Sequence, residues 1–253
     1  MKIAIAAVVL LGLLVDEHGG PYGQDAASVT AWMLCIVLWL RVDGRTRTTL
    51  VACLVIATAG EVFLSLVCGL YRYRLGNVPL FVPPGHVLLF YLGTQIAMRV
   101  TGRGAWAIAA LALPAVAYFA LAGRDTLSPW LFVLYVASVY GSPSRALYST
   151  MFVLSLAMEL YGTWMGNWTW SAQVPGTSLV TTNPPLAAGA FYCALDLLVV
   201  IIAARPRLHS LFGKAGVEVE DGLAPRGDAQ RVLVVAVAAD DLEAEGKAAR
   251  SAP

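Results

Sequence analysis

Apolar blocks of roughly 15 to 23 residues, separated by short segments rich in Arg, Gly, Pro and Asp, set the terms on which this 253-residue chain can fold. A helix needs about 20 apolar residues to cross a bilayer, and the blocks fall at about 2–15, 27–41, 48–69, 86–100, 104–122, 127–142, 146–165 and 186–204. The expected fold is therefore all-α: an integral membrane helical bundle of about eight transmembrane helices, with the shorter blocks extending into their loops or one lying in the interface. Composition agrees, because 58% of the residues are hydrophobic and 13% charged. Soluble domains carry about one quarter charged residues, and a soluble core has no room for this much apolar surface.

Arg and Lys in the short loops give an orientation. With the N-terminus inside, the cytoplasmic face receives Lys2, Arg41, Arg45, Arg47, Arg99, Arg103, Arg145, Arg205, Arg207 and Lys214, and the opposite face only Arg72, Arg74 and Arg124. The expectation is a multi-pass protein of the inner (plasma) membrane with both termini cytoplasmic. The start, Met1-Lys2 and then IAIAAVVLLGLLV, has the outline of a signal peptide but no A-x-A exit, and is read as a first span. Residues 1–210 form the transmembrane domain, and 211–253 a cytoplasmic, largely disordered tail. The net charge of +1 and the lack of a basic run with interleaved aromatics give no reason to expect nucleic acid as a partner. Cys35, Cys53, Cys68 and Cys193 lie in apolar stretches without C-x-x-C spacing and read as small buried hydrophobes.

Two segments on the non-cytoplasmic side align. Glu61 is followed by Gly69, Tyr71, Tyr73, Pro79 and Pro83-Pro84; Glu159 by Gly166, Trp168, Trp170, Pro175 and Asn183-Pro184-Pro185. The offsets of 98 and 101 residues enclose four helices, so the two copies share one orientation. This predicts a parallel four-plus-four internal repeat, with halves about 1–103 and 104–210, related by an axis along the membrane normal.

Ionisable groups at membrane depth cost about 2.5 to 3.5 kcal/mol each near the centre and call for a partner or a function. Three qualify: Glu61, Glu159 and Asp196. Halves packed about one axis bring the two glutamates to one interior, where a desolvated carboxylic acid can deliver a proton to an apolar substrate. The alternative is structural, with the carboxylates accepting hydrogen bonds from Tyr71, Tyr73, Trp168, Trp170 or Arg72. Those aromatics suit either an interfacial belt or a wall that stabilises a carbocation by cation–π attraction. His86, after Val82-Pro83-Pro84-Gly85, and Asn183, before Pro184-Pro185, each read as a helix-start residue or a substrate contact. No metal motif and no glycine-rich phosphate loop occurs.

The segments CGLYRYRLGNVPLFVPPGHVLLF and ELYGTWMGNWTWSAQVPGTSLVTTNPP resemble uncharacterised polytopic membrane proteins of high-GC bacteria that carry YRYRLGNVP-x-FVPPGH and a later NPP loop. More distantly they resemble membrane carotenoid enzymes. Gly69, Tyr71 and Tyr73 match the G-x-Y-x-Y loop of the carotenoid hydratase family, and Glu159, Gly162, Gly166 and Trp168 the E/D-x-x-G-x-x-x-G-x-W segment of the heterodimeric lycopene cyclases. The Pro-x-Glu-Glu acids of the cyclase loop are replaced here by Asn183-Pro184-Pro185-Leu186. Glu61 with Asp196 also fits the early Glu and late Asp of small membrane terpene cyclases. The resemblance implies proton-initiated cyclase, hydratase or isomerase chemistry on a membrane-dissolved isoprenoid, without metal or redox cofactor. Glu61 or Glu159 would be the acid and Asp196 a relay; Tyr71, Tyr73, His86, Trp168, Trp170 and Asn183 would contact substrate. The competing expectation is a non-enzymatic lipid-binding or small-molecule transport protein.

Overall fold

A computed structural model describes residues 1–142 and 144–203. The 211–253 tail, and Arg205, Arg207, His209 and Lys214 with it, lie outside the described residues. Among the described residues eight α-helices occupy the eight apolar blocks to within a few residues: α1 Lys2–His18, α2 Gly23–Arg41, α3 Gly44–Glu61, α4 Val82–Ala97, α5 Gly102–Leu121, α6 Ser128–Tyr140, α7 Arg145–Met165 and α8 Gly189–Ala203. Their starts are fixed locally. Asp43 accepts from the backbone N–H groups of Arg45 and Thr46 at 3.0 and 3.1 Å to cap α3, and Thr101 accepts from that of Gly104 at 3.1 Å to cap α5. Prolines occupy the first turns of α4 and α6, where their missing N–H has no helical partner to lose.

Length and composition alone suffice for three membrane crossings: Gly20–Arg41, Gly44–Val67, which continues α3 through a π-helical turn, and Gly102–Leu121. The 13 residues of α6 rise only about 20 Å, short of a hydrocarbon core about 30 Å thick. The outward surface is apolar, with Leu111, Leu121, Trp130 and Trp164 exposed, as suits contact with lipid.

At the centre α3 packs on α4 and α8, and α7 on α4 and α8. The α1–α2 pair leans on α4 from one side, and α5 and α6 lean on α7 and α8 from the other. This association rests on close packing and on interhelical hydrogen bonds, such as that from the Ser149 hydroxyl of α7 to the Ala105 carbonyl of α5. Leu50, Cys53, Leu88, Met151 and Val199 interlock at the centre. The α1–α2, α3–α4, α5–α6 and α7–α8 connections meet at one end. There Asp16, at the end of α1, accepts from Arg74 Nη2 at 3.1 Å and Asn167 Nδ2 at 2.7 Å, and Asp125 accepts from the hydroxyl of Thr182 at 2.9 Å.

The departure from an all-helical chain lies at this end. Tyr71–Tyr73 forms β1 and Trp168–Trp170 forms β2, paired antiparallel with Tyr71 opposite Trp170 and Tyr73 opposite Trp168. Gly69 and Gly166 have φ of +66° and +90°, the left-handed conformation that turns each chain out of its helix into its strand. Alternation along the strands buries the four aromatics and exposes Arg72 and Thr169.

Candidate functional site

Under the two strands lie the two glutamates, each about 5% exposed. Glu61 closes α3, and its Oε2 accepts from the hydroxyls of Tyr71 and Tyr73, both at 2.6 Å. Its Oε1 lies 2.7 Å from His86 Nε2, at the start of the second turn of α4. Glu159, on the inner face of α7, has its Oε2 taken by the indole N–H groups of Trp168 at 2.8 Å and Trp170 at 2.9 Å, while Oε1 accepts from the hydroxyl of Tyr192 at 3.1 Å. Each carboxylate thus has three partners: the two inward aromatics of the strand that follows it, and one side chain of a more distant helix. A buried carboxylate left without such partners is severely penalised. Charge-assisted bonds of this kind contribute about 1.5–3 kcal/mol each.

The two clusters touch. The rings of His86 and Tyr192 stack, centroids 4.8 Å apart, and Tyr71 packs on Trp170 at 4.8 Å across the strands. Gly162 makes room for Trp168, whose indole edge lies against α7 where a side chain would stand. Burial first, then the charge of Glu61, pushes the phenols of Tyr71 and Tyr73 well above the usual tyrosine range, so both remain hydrogen-bond donors.

A cavity of about 60 Å³ adjoins this polar floor. A water needs roughly 10–15 Å³ by such a measure, so the space holds a few waters or a short length of apolar chain. Its walls are aliphatic, from Val8, Val9 and Leu13 of α1, Ala31 of α2, Leu88 of α4 and Met158 of α7. Glu61, Glu159, Tyr71, Tyr73, His86, Trp168 and Tyr192 all line it. Polar groups concentrated at one end of an otherwise apolar cavity are the arrangement of a small-molecule site. Among the described residues no three His, Cys, Asp or Glu side chains converge as metal ligands.

Six of the nine residues singled out in the sequence therefore meet at one cavity, and three stand apart. Trp170 reaches Glu159, but its ring stacks on Phe191, centroids 6.1 Å apart, away from the cavity wall. Asn183 accepts from the backbone N–H of Trp170 at 2.9 Å, bracing β2 without capping a helix, since α8 begins only at Gly189. Asp196 is buried on α8 one turn past Tyr192, outside the cavity, and its Oδ2 has no partner among the described residues. The residue that sequence reading missed is Tyr192. Its signal was a hydroxyl in an apolar block, four residues before Asp196 and so on the same helix face.

No family model matches this chain, nor does any curated protein or solved structure.

Proposed function

We propose that this chain is an integral membrane enzyme that transfers a proton to an apolar, isoprenoid-like substrate held in the cavity, with His86 as the donor and Glu61 as its counter-charge. The observation that carries this reading is the His86–Glu61 pair at the floor of an aliphatic cavity. A carboxylate held by two phenols fixes the imidazole through Nε2, leaving Nδ1, which has no protein partner among the described residues, to act on the substrate. The role that the sequence suggested for Glu61 as acid passes to its histidine partner. Tyr71, Tyr73 and Trp168 supply aromatic surface for the cation that protonation creates. The substrate class also draws on the resemblance to carotenoid hydratases and lycopene cyclases.

The frame proposed for this site is eight spanning helices in a parallel four-plus-four repeat, in the plasma membrane with both termini cytoplasmic. Three features support the repeat. Each glutamate is served by the strand of its own half; the strands pair antiparallel; and the helices exchange partners reciprocally, α3 with α8 and α4 with α7, as a twofold relation generates.

The test is the hydrophobic extract, by liquid chromatography and mass spectrometry, of a carotenoid-accumulating host expressing wild type, His86→Gln or Glu61→Gln at matched protein levels. A new isomer or hydrated product made by wild type and reduced about 100-fold or more in both variants supports proton transfer. An unchanged lipid pool with folded wild-type protein refutes it, and leaves lipid binding or transport as the function of the cavity.

A further inference from the structure

Protonation of an alkene leaves a carbocation that must be quenched, by water or by loss of a proton to a base. The second carboxylate differs from Glu61 in the kind of partner it has. An indole N–H only donates, so Glu159 Oε2, holding Trp168 and Trp170 at 2.8 and 2.9 Å, has both lone-pair directions occupied and no place for a proton. Oε1 meets only the Tyr192 hydroxyl, at 3.1 Å, and a hydroxyl turns from donor to acceptor by rotation. Glu159 therefore has one position, Oε1, at which it can gain a proton. Both it and Tyr192 line the cavity, and Tyr192 is stacked on His86. Water added to the cation would leave an alcohol, whereas a base at Oε1 removes a proton and leaves a new double bond.

We infer that Glu159 is the base that takes a proton from the substrate cation, with Tyr192 turning its hydroxyl to accept from the newly formed carboxylic acid, so that the reaction is an isomerisation or ring closure of an acyclic polyene rather than a hydration. This rests on the reading of His86 as proton donor. In the first step the π pair of a substrate double bond takes the proton from His86 Nδ1, forming a C–H bond and a tertiary cation and leaving neutral imidazole. In a ring closure a second double bond then attacks the cation, forming a C–C bond and moving the charge. Finally the C–H pair beside the cation becomes a new double bond as its proton passes to Glu159 Oε1. The product is an isomer of the substrate with no change of oxidation state. One proton then returns across the cavity floor from Glu159 to His86 before the next turnover.

The experiment uses the full-length protein in phosphatidylcholine vesicles doped with lycopene as an acyclic polyene probe, run in D2O and separately in H2(18)O, with products read by mass spectrometry. Wild type is expected to give a product of unchanged elemental formula carrying one deuterium and no (18)O. Glu159→Gln keeps the cradle, since its carbonyl accepts both indoles and its amide donates to Tyr192, but it takes no proton; isomer formation should fall about 100-fold or more. Tyr192→Phe should lower turnover less, with little change in KM. A wild-type product that gains water with (18)O, or Glu159→Gln with wild-type rate, overturns the base assignment and leaves the His86 reading standing. No conversion by folded wild-type protein overturns both.

Discussion

Gly162→Ala should destabilise the protein by about 3–5 kcal/mol, and the structure says through which side chain. A Cβ at this position would stand 2.1, 2.3 and 2.6 Å from Cη2, Cζ2 and Cζ3 of Trp168, where carbon atoms settle at about 3.5–4.0 Å. The indole has to retreat by more than about 1 Å, yet its backbone is fixed by pairing with Tyr73 across the sheet. The ring can only tilt, which draws Nε1 away from the Glu159 oxygen it reaches at 2.8 Å. Overpacking of this kind costs about 1–3 kcal/mol, and a lost bond to a buried charged group about 1.5–3 kcal/mol. The assay is denaturation in detergent micelles, followed by the near-ultraviolet circular dichroism of the tryptophans, for Gly162→Ala, Trp168→Phe and the double variant. Phenylalanine lacks the outer ring atoms that collide, so adding Gly162→Ala to Trp168→Phe should cost less than about 1 kcal/mol, a coupling of at least 2 kcal/mol. Equal cost in both backgrounds, or a single variant within about 0.5 kcal/mol of wild type, would refute the view that this glycine exists to admit Trp168.

Asp125 accepts from the backbone N–H and hydroxyl of Ser128, the hydroxyl of Thr182 and the backbone N–H of Leu186, so Asp125→Ala should cost about 3 kcal/mol in chemical denaturation, with Asp125→Asn intermediate. Arg74→Met removes the cation that faces Asp16 and Glu17 and leaves Asp16 buried; a loss of about 2 kcal/mol is expected, partly recovered when Asp16→Asn is added, as a double-mutant cycle would show. Asp196→Asn gives up no hydrogen bond at Oδ2, and its unfolding free energy in chemical denaturation should match wild type to within about 1 kcal/mol, whereas Glu61→Gln should fall well below it.

The helices were legible because apolar blocks of about 15 residues or more, broken by Gly, Pro and Arg, are too long for strands. The glutamates and their aromatics were legible too, since charge inside an apolar block is rare enough to stand out and Tyr71, Tyr73, Trp168 and Trp170 recur at matched spacing behind them. What the pattern concealed was the means of contact. Three-residue strands between helices carry no periodic signal, so the pairing of Tyr73 with Trp168 surfaced only in the fold. Tyr192 was missed for a different reason, being a partner that α8 brings in from 33 residues beyond Glu159. Nothing in the sequence marks Asp16 and Asp125 out, because burial is decided by what folds over them, here Asn167 and Thr182. Asp196 is the converse case: its place in an apolar block made it conspicuous, and it is buried off the cavity.

Every donor to Glu61 comes from residues 1–101 and every donor to Glu159 from residues 102–203, while β1–β2 and the α3–α8 and α4–α7 contacts join the two stretches. This division has a consequence for the timing of synthesis. A ribosome that has released α4 has built a complete cradle for Glu61 but only one strand, whose unpaired edge waits until Trp168–Trp170 emerges. During that interval the first four helices are a target for quality-control proteases. The same division makes the Val100–Gly102 connection a natural place to cut the gene: two co-expressed fragments should find each other through the strand edges and assemble, and each made alone should be degraded.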